Sequence, residues 1–165
     1  RPNPSTPRPY DNVPIPAVDA GDTEPGLHVG VYERTVAYVP KVDGEEPTRR
    51  EEVTHFGAVA TDGDAALLFT GYLVVPETGA YTLRLSSLTH AVLRLHEATV
   101  IDADRPFERG QTVSATVHLE EGLHPIRLYA NALPGNAPDQ FALGWSGPGF
   151  EMRPVRPRDL ARPAR

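Results

Sequence analysis

The chain has 165 residues, a formal charge of −6 and no cysteine. That length allows one domain with a proper core, burying roughly 70% of its unfolded surface; the missing cysteines exclude disulfides, thiolate chemistry and Cys-ligated metals. The acidic balance points away from nucleic acid and from an anionic membrane surface, and no apolar run approaches the roughly 18 residues a spanning helix needs.

Residues 1–25 carry Pro2, Pro4, Pro7, Pro9, Pro14 and Pro16 with little apolar periodicity, so they are expected to form an extended proline-rich strap or linker. Starting at Arg1 with neither methionine nor signal peptide, the chain reads as a piece of a longer protein. Residues 26–160 are expected to form the folded module, followed by a tail over 161–165. Order begins with Leu27, Val29 and Val31, which alternate with polar or small residues, and the polar, acidic stretch from Val42 to Glu52 reads as a loop.

From Thr54 onward the signal is one strand after another. Leu67 to Val75 is apolar, β-branched and aromatic, and Pro76-Glu77-Thr78-Gly79 ends it as a turn. Tyr81, Leu83 and Leu85 then recur with a period of two, as do Ala91, Leu93 and Leu95. The same period holds for Val113, Ala115, Val117 and Leu119, for Ile126, Leu128 and Ala130, and for Phe141, Leu143 and Trp145. No stretch sustains a helical period. Short strands spaced by Gly and Pro turns predict an all-β fold, an antiparallel β-sandwich or barrel with one face of each sheet in the core. Trp145 shares its face with Leu143 and Phe141 and is assigned to the core, whereas Tyr129 has the opposite parity and is expected to be the exposed aromatic.

No catalytic constellation can be assembled: GxSxG, HExxH, P-loop and GxGxxG patterns are all missing. Ser5-Thr6-Pro7-Arg8 approaches a sulfatase nucleophile motif but lacks the residue that should separate proline from arginine. Six histidines lie in or beside strands, and only His90 and His96 have a separation that puts two on one strand face; structural hydrogen bonding and ligand recognition both remain open for them. Asp62-Gly63-Asp64 suits a hairpin turn. Asp102 and Asp104 at a strand end could meet a hard cation such as calcium, a weak signal without further ligands. The basic residues are nearly all arginine, Lys41 being the only lysine; Arg153, Arg156, Arg158, Arg162 and Arg165 crowd the C-terminal stretch as either a solvated tail or an anion-docking arm.

Four segments, in order, resemble the protective-antigen-type lectin-like domains. Phe69-Thr70-Gly71-Tyr72-Leu73-Val74-Val75-Pro76 with Thr78-Gly79-Ala80-Tyr81-Thr82 is similar to their first hairpin, and Leu93 to Asp102 to their second. Val117 to Tyr129, with Gly122, His124, Pro125, Ile126 and Arg127, resembles the third, and Leu143-Gly144-Trp145-Ser146-Gly147-Pro148-Gly149 the closing motif. The stretch from Leu93 to Asp104 is closest to the variant appended to bacterial sulfatases.

The resemblance implies a secreted or periplasmic, non-catalytic β-sandwich accessory module of a multidomain bacterial enzyme, a sulfatase by the variant. Its expected partners are a glycan, sulfated glycans included, and the parent catalytic domain. The rival expectation is a purely structural domain packed on that enzyme by an apolar face. Family lectins that use calcium carry two adjacent aspartates after the first hairpin; here Ser86-Ser87-Leu88-Thr89-His90 stands instead, which disfavours calcium and leaves no cofactor. By the same resemblance the carbohydrate contacts are sought at Ser87, Thr89, His90, Asp102, Asp104, Arg105, Asn131 and Asn136, whose side chains suit hydroxyls or sulfates.

Overall fold

The computed structural model describes residues 14–33, 46–54, 56, 65–87, 91–96, 98–102, 111–132 and 141–163. Among these the chain forms antiparallel strands in two sheets, with a single 3-10 turn at Pro157–Asp159. The strands are β1 (Thr23–Pro25), β2 (Leu27–Tyr32), β3 (Arg49–Val53), β4 (Ala65–Val75), β5 (Gly79–Ser87) and β6 (Ala91–Leu95). They continue with β7 (Ala98–Asp102), β8 (Gln111–Leu119), β9 (Gly122–Ala132), β10 (Phe141–Gly147), β11 (Phe150–Pro154) and β12 (Leu160–Pro163). The all-β antiparallel sandwich expected from the period-two pattern is the fold observed. Strands β1 and β12 pair with each other and extend it beyond residues 26–160 at both ends.

The four-stranded sheet runs β11-β10-β5-β8. Its inner face carries Tyr81, Leu83, Leu85, Val117, Leu119, Leu143 and Trp145, all buried. Its outer face is a field of small hydroxyl side chains, with Thr82 Oγ1 2.9 Å from Thr116 Oγ1 and Ser86 Oγ 3.2 Å from Thr112 Oγ1. That contrast between faces is the physical content of the alternation in the sequence. Trp145 stacks on Tyr81 with centroids 5.4 Å apart and meets the edge of Phe150 at 5.1 Å. The Tyr81 hydroxyl donates to the Glu77 carbonyl and accepts from the Glu77 N–H, so a core aromatic also clamps the β4–β5 turn.

In the larger sheet β4 is the axis. One edge pairs with β9 over its whole length; the other is shared, β2 taking Ala66–Thr70 and β12 taking Tyr72–Leu73. Gly71 stands at the fork. A Cβ there would lie 2.7 Å from the Ala161 carbonyl oxygen and 2.7 Å from Leu27 Cδ2, closer than real contacts allow, so only glycine lets β2 and β12 converge on one strand. Beyond β12, the strap joins as well: Ile15 is buried, its N–H donates to the His118 carbonyl at 2.8 Å, and Val18 donates to the Leu123 carbonyl at 2.9 Å.

Three expectations are corrected. Residues 49–52 belong to strand β3 and not to a loop; a charged sequence is what an edge strand tolerates, and Arg49 holds Glu33 and Glu51 at 2.7 Å each. Tyr129 does point away from the main core, yet it is fully buried, because Tyr32, Ala66, Leu68 and Val92 form a second apolar cluster around it on the outer face. Arg153, Arg156 and Arg162 form no solvated tail. Arg153 and Arg156 engage the buried Asp159 at 3.7 and 3.5 Å, and Arg162 bridges Glu24 and Glu52 at 2.8 Å each. Arg158 is exposed in the 3-10 turn, and Arg165 lies outside the described residues.

Two substitutions test this packing by urea unfolding. Gly71→Ala is expected to lose about 1–3 kcal/mol from overpacking at the fork, and an unchanged midpoint would mean that β2 and β12 separate freely. Trp145→Ala is expected to lose roughly 3–5 kcal/mol as a core truncation.

Candidate functional site

The strand ends are gathered by register. Ser87, Gln111 and Phe141 stand level at one end of the four-stranded sheet, as the last residue of β5 and the first of β8 and β10. In the larger sheet Val92 pairs with Asp102, Ala91 with Ala130, and Ala66 with Asn131, so the start of β6 and the ends of β7 and β9 share one end as well. The three-residue link from Ser87 to Ala91 can span at most about 14 Å, which brings the two sheet ends together. Three crossovers therefore leave from one end of the sandwich: β5 to β6, β7 to β8, and β9 to β10.

Of the residues sought for carbohydrate contact, Ser87 and Asp102 terminate β5 and β7, and Asn131 is the penultimate residue of β9, half-buried. All three are at this end. Thr89, His90, Asp104, Arg105 and Asn136 lie outside the described residues. Among the described residues no group of three or more His, Cys, Asp or Glu side chains is arranged to hold a metal ion.

A second feature was not legible in the sequence. Register aligns Glu52, His28, Thr70, Arg127, Arg94 and Thr99 in one row across six strands, on the outer face of the larger sheet. A cleft of about 480 Å³ opens along this row, with Tyr72 and Pro125 as opposed neighbours on β4 and β9, and His96 and Pro163 at its borders. The parity of His28, Arg94 and Arg127 was readable from their own strands; the alignment between strands was not.

The cleft is fixed from below by a histidine pair. His124, fully buried on β9, has Nε2 2.6 Å from the Glu120 carbonyl and Nδ1 2.8 Å from His96 Nε2. A carbonyl only accepts, so His124 carries its proton on Nε2 and accepts at Nδ1, which assigns the donor role to His96 Nε2. His96 holds an unusual backbone φ of 55° at the β6–β7 turn, its N–H donating to the Pro125 carbonyl at 2.9 Å. Its own carbonyl accepts from Arg127 Nη2 at 3.2 Å, which orients that guanidinium beside the cleft. The pair that forms is thus His96 with His124; His90, which shared strand parity with His96 in the sequence, is outside the described residues.

Burial pushes the His124 pKa below the ordinary histidine value, with hydrogen bonding and charge at Glu120 opposing in part. A histidine that is neutral when folded takes up a proton more readily when unfolded. Its contribution is therefore complete above the unfolded pKa near 6.5 and is lost as pH falls toward the lowered folded value. Stability is expected to drop between pH 7 and pH 5.5, with this group contributing at most about 1.4 kcal/mol per pH unit. His124→Gln should flatten the urea-unfolding profile over that window; an unaltered slope would show that His124 is not held neutral.

Comparison with known proteins gives one family and a consistent set of folds. The model of the PA14 domain family matches residues 23–157. The structure is similar to the PA14 domain of the MpAFP antifreeze protein, with 15% identity over 88% of this chain and 94% of that one, and a TM-score of 0.68. It is also similar to the epithelial adhesin 9 A domain from Candida glabrata in complex with Galb1-3GlcNAc, at 15% identity over 95% and 96% of the two chains and a TM-score of 0.63. A third likeness is to beta-glucosidase from Kluyveromyces marxianus, at 18% identity and a TM-score of 0.59; it covers 73% of this chain and 17% of that enzyme. No curated protein sequence matches.

Proposed function

Because the chain belongs to the PA14 domain family, we propose that it is a non-catalytic glycan-binding module of a larger extracellular or periplasmic protein. The observation that carries this reading is the gathering of three crossover connections at one end of the sandwich, from strands that end at Ser87, Asp102 and Ala132. Segments anchored by rigid strands and rich in hydroxyl, amide and arginine side chains are suited to hydrogen-bonding a sugar. The contacts we assign are Ser87, Thr89, His90, Asp102, Asp104, Arg105, Asn131 and Asn136. Similarity to a sugar-complexed adhesin domain and to a part of a beta-glucosidase supports both the ligand class and the accessory role. No helix among the described residues is long and apolar enough to cross a membrane.

The parent is a bacterial sulfatase in this reading, supported by the likeness of the Leu93–Asp104 segment to the sulfatase-appended variant, and sulfated glycans are the preferred ligands. Binding is independent of calcium, because Ser86-Ser87-Leu88-Thr89-His90 supplies no carboxylate where lectins of this kind place theirs. A purely structural domain would need an apolar docking face. Among the described residues Val18 is the one large hydrophobic side chain left exposed, which favours ligand binding over that alternative.

A glycan array that includes sulfated polysaccharides, run with calcium and then with chelator, tests this. Specific binding that survives the chelator is expected, and binding lost with calcium removal would overturn the metal-independent reading. Arg105→Ala and His90→Ala are each expected to weaken that binding by about tenfold with little change in melting temperature.

A further inference from the structure

We infer that Tyr72 is a stacking platform for a neutral sugar ring, seated where β2 and β12 part on the outer face of the larger sheet and hydrogen-bonded there by Thr70. The choice of a sugar rests on the glycan reading above; the location and the stacking do not. Thr70 lies five residues along β4 from Ala65 at the crossover end, a distance of roughly 17 Å at the usual rise per strand residue. The platform is thus a separate site from the strand ends.

The fork at Gly71 makes the seat. Strand β2 covers one edge of β4 as far as Thr70, β12 covers it from Tyr72, and the glycine between them lines the opening. Thr70 and Tyr72 have outward parity, opposite to the buried Phe69 and Leu73, and both are half-buried. Tyr72 stands directly opposite Pro125 on β9 and Ala161 on β12. The small Ala161 side chain leaves room beside the phenol ring, and Pro163, two residues on, borders the cleft.

Ring surfaces with polar groups at their edge match the chemistry of a sugar, which has a face of C–H groups and a rim of hydroxyls. Tyr72, Pro125 and Pro163 supply the ring surfaces. Thr70 supplies a hydroxyl that can donate and accept, and the His28 imidazole, opposite Thr70 on β2, supplies a second polar group. Adjacent strands are about 4.8 Å apart and alternate residues along a strand about 6.8 Å apart, so Thr70, Tyr72 and Pro125 mark out the footprint of one sugar ring. The volume of about 480 Å³ is within the range of small-ligand sites. The platform is also held in advance. Its strand is paired on both sides at Tyr72, and the Pro125 carbonyl accepts from the His96 N–H at 2.9 Å, beside a His124 bonded at both ring nitrogens. A surface that needs no ordering gives up little conformational entropy when a ligand binds.

Amide chemical-shift titration of the isotopically labelled chain tests this with methyl β-galactoside, methyl β-glucoside and the acyclic polyol sorbitol. Saturable shifts at His28, Thr70, Gly71 and Tyr72 are expected with at least one glycoside and not with sorbitol, which has hydroxyls but no ring face. Tyr72→Ala should weaken the response by about tenfold, and Tyr72→Phe should keep it within about twofold. Thr70→Val, which keeps the shape of the side chain, should weaken it by about fivefold with the rest of the spectrum native, and carries the test if Tyr72→Ala does not fold. Added salt should change the response little, since neither stacking nor a neutral hydrogen bond is screened. Equal response to sorbitol, no response of these amides to either glycoside, or full response in Tyr72→Ala or Thr70→Val would overturn the subsite. If shifts then appear at Ser87, Asp102 and Asn131, or the glycan array gives hits, the glycan reading stands without it; if no amide shifts and the array is also blank, both fail.

Discussion

Eleven consecutive residue pairs between β4 and β9, from Ala65 with Ala132 to Val75 with Gly122, set the frame to which the rest is attached. A one-residue slip in that ladder would exchange Leu67, Phe69, Leu73, Ile126 and Leu128 with the outward residues, which is why the register is strongly specified. Both candidate features depend on it. The ladder sets Thr70 against Arg127 and Tyr72 against Pro125, which makes the cleft, and it ends at Ala65 and Ala132, from which the β9–β10 crossover departs. It also leaves the far edge of β4 to be divided between β2 and β12, with Gly71 as the point where they meet.

The inner faces were legible because burial on one side of a sheet imposes a period of two. Leu83, Leu85, Leu143 and Trp145 follow it, and all are buried. Elements that answer to other physics were missed. Strand β3 is an edge, where charge is favoured, so Arg49, Arg50, Glu51 and Glu52 carry no apolar alternation. Tyr129 has outward parity but acquires its burial from Tyr32 and Val92, residues brought in by two other strands. His96 and His124 are 28 positions apart and meet only because β6 lies beside β9. The first-strand position of His28 was readable, whereas its alignment with Thr70 and Arg127 needs the register of three strands at once.

Family motifs gain a physical meaning from the same contacts. The glycine of the first hairpin is the fork at Gly71, and the tyrosine of that hairpin clamps the turn through the Glu77 carbonyl. The histidine of the His-Pro-Ile-Arg segment ties the β8–β9 turn to the β6–β7 turn, and the arginine three residues later is delivered to the cleft. These are stabilising roles within this sandwich. Recognition is assigned, in the reading proposed above, to the side chains around the strand ends that carry Ser87, Asp102 and Asn131.

A crystal structure of the protein soaked with a sulfated oligosaccharide would test the account of recognition most directly. The expected result is sugar density against the strand ends at Ser87, Asp102 and Asn131. Density on the hydroxyl-lined outer face of the four-stranded sheet, around Thr82 and Thr116, would contradict it, as would saturating conditions that leave the strand ends empty.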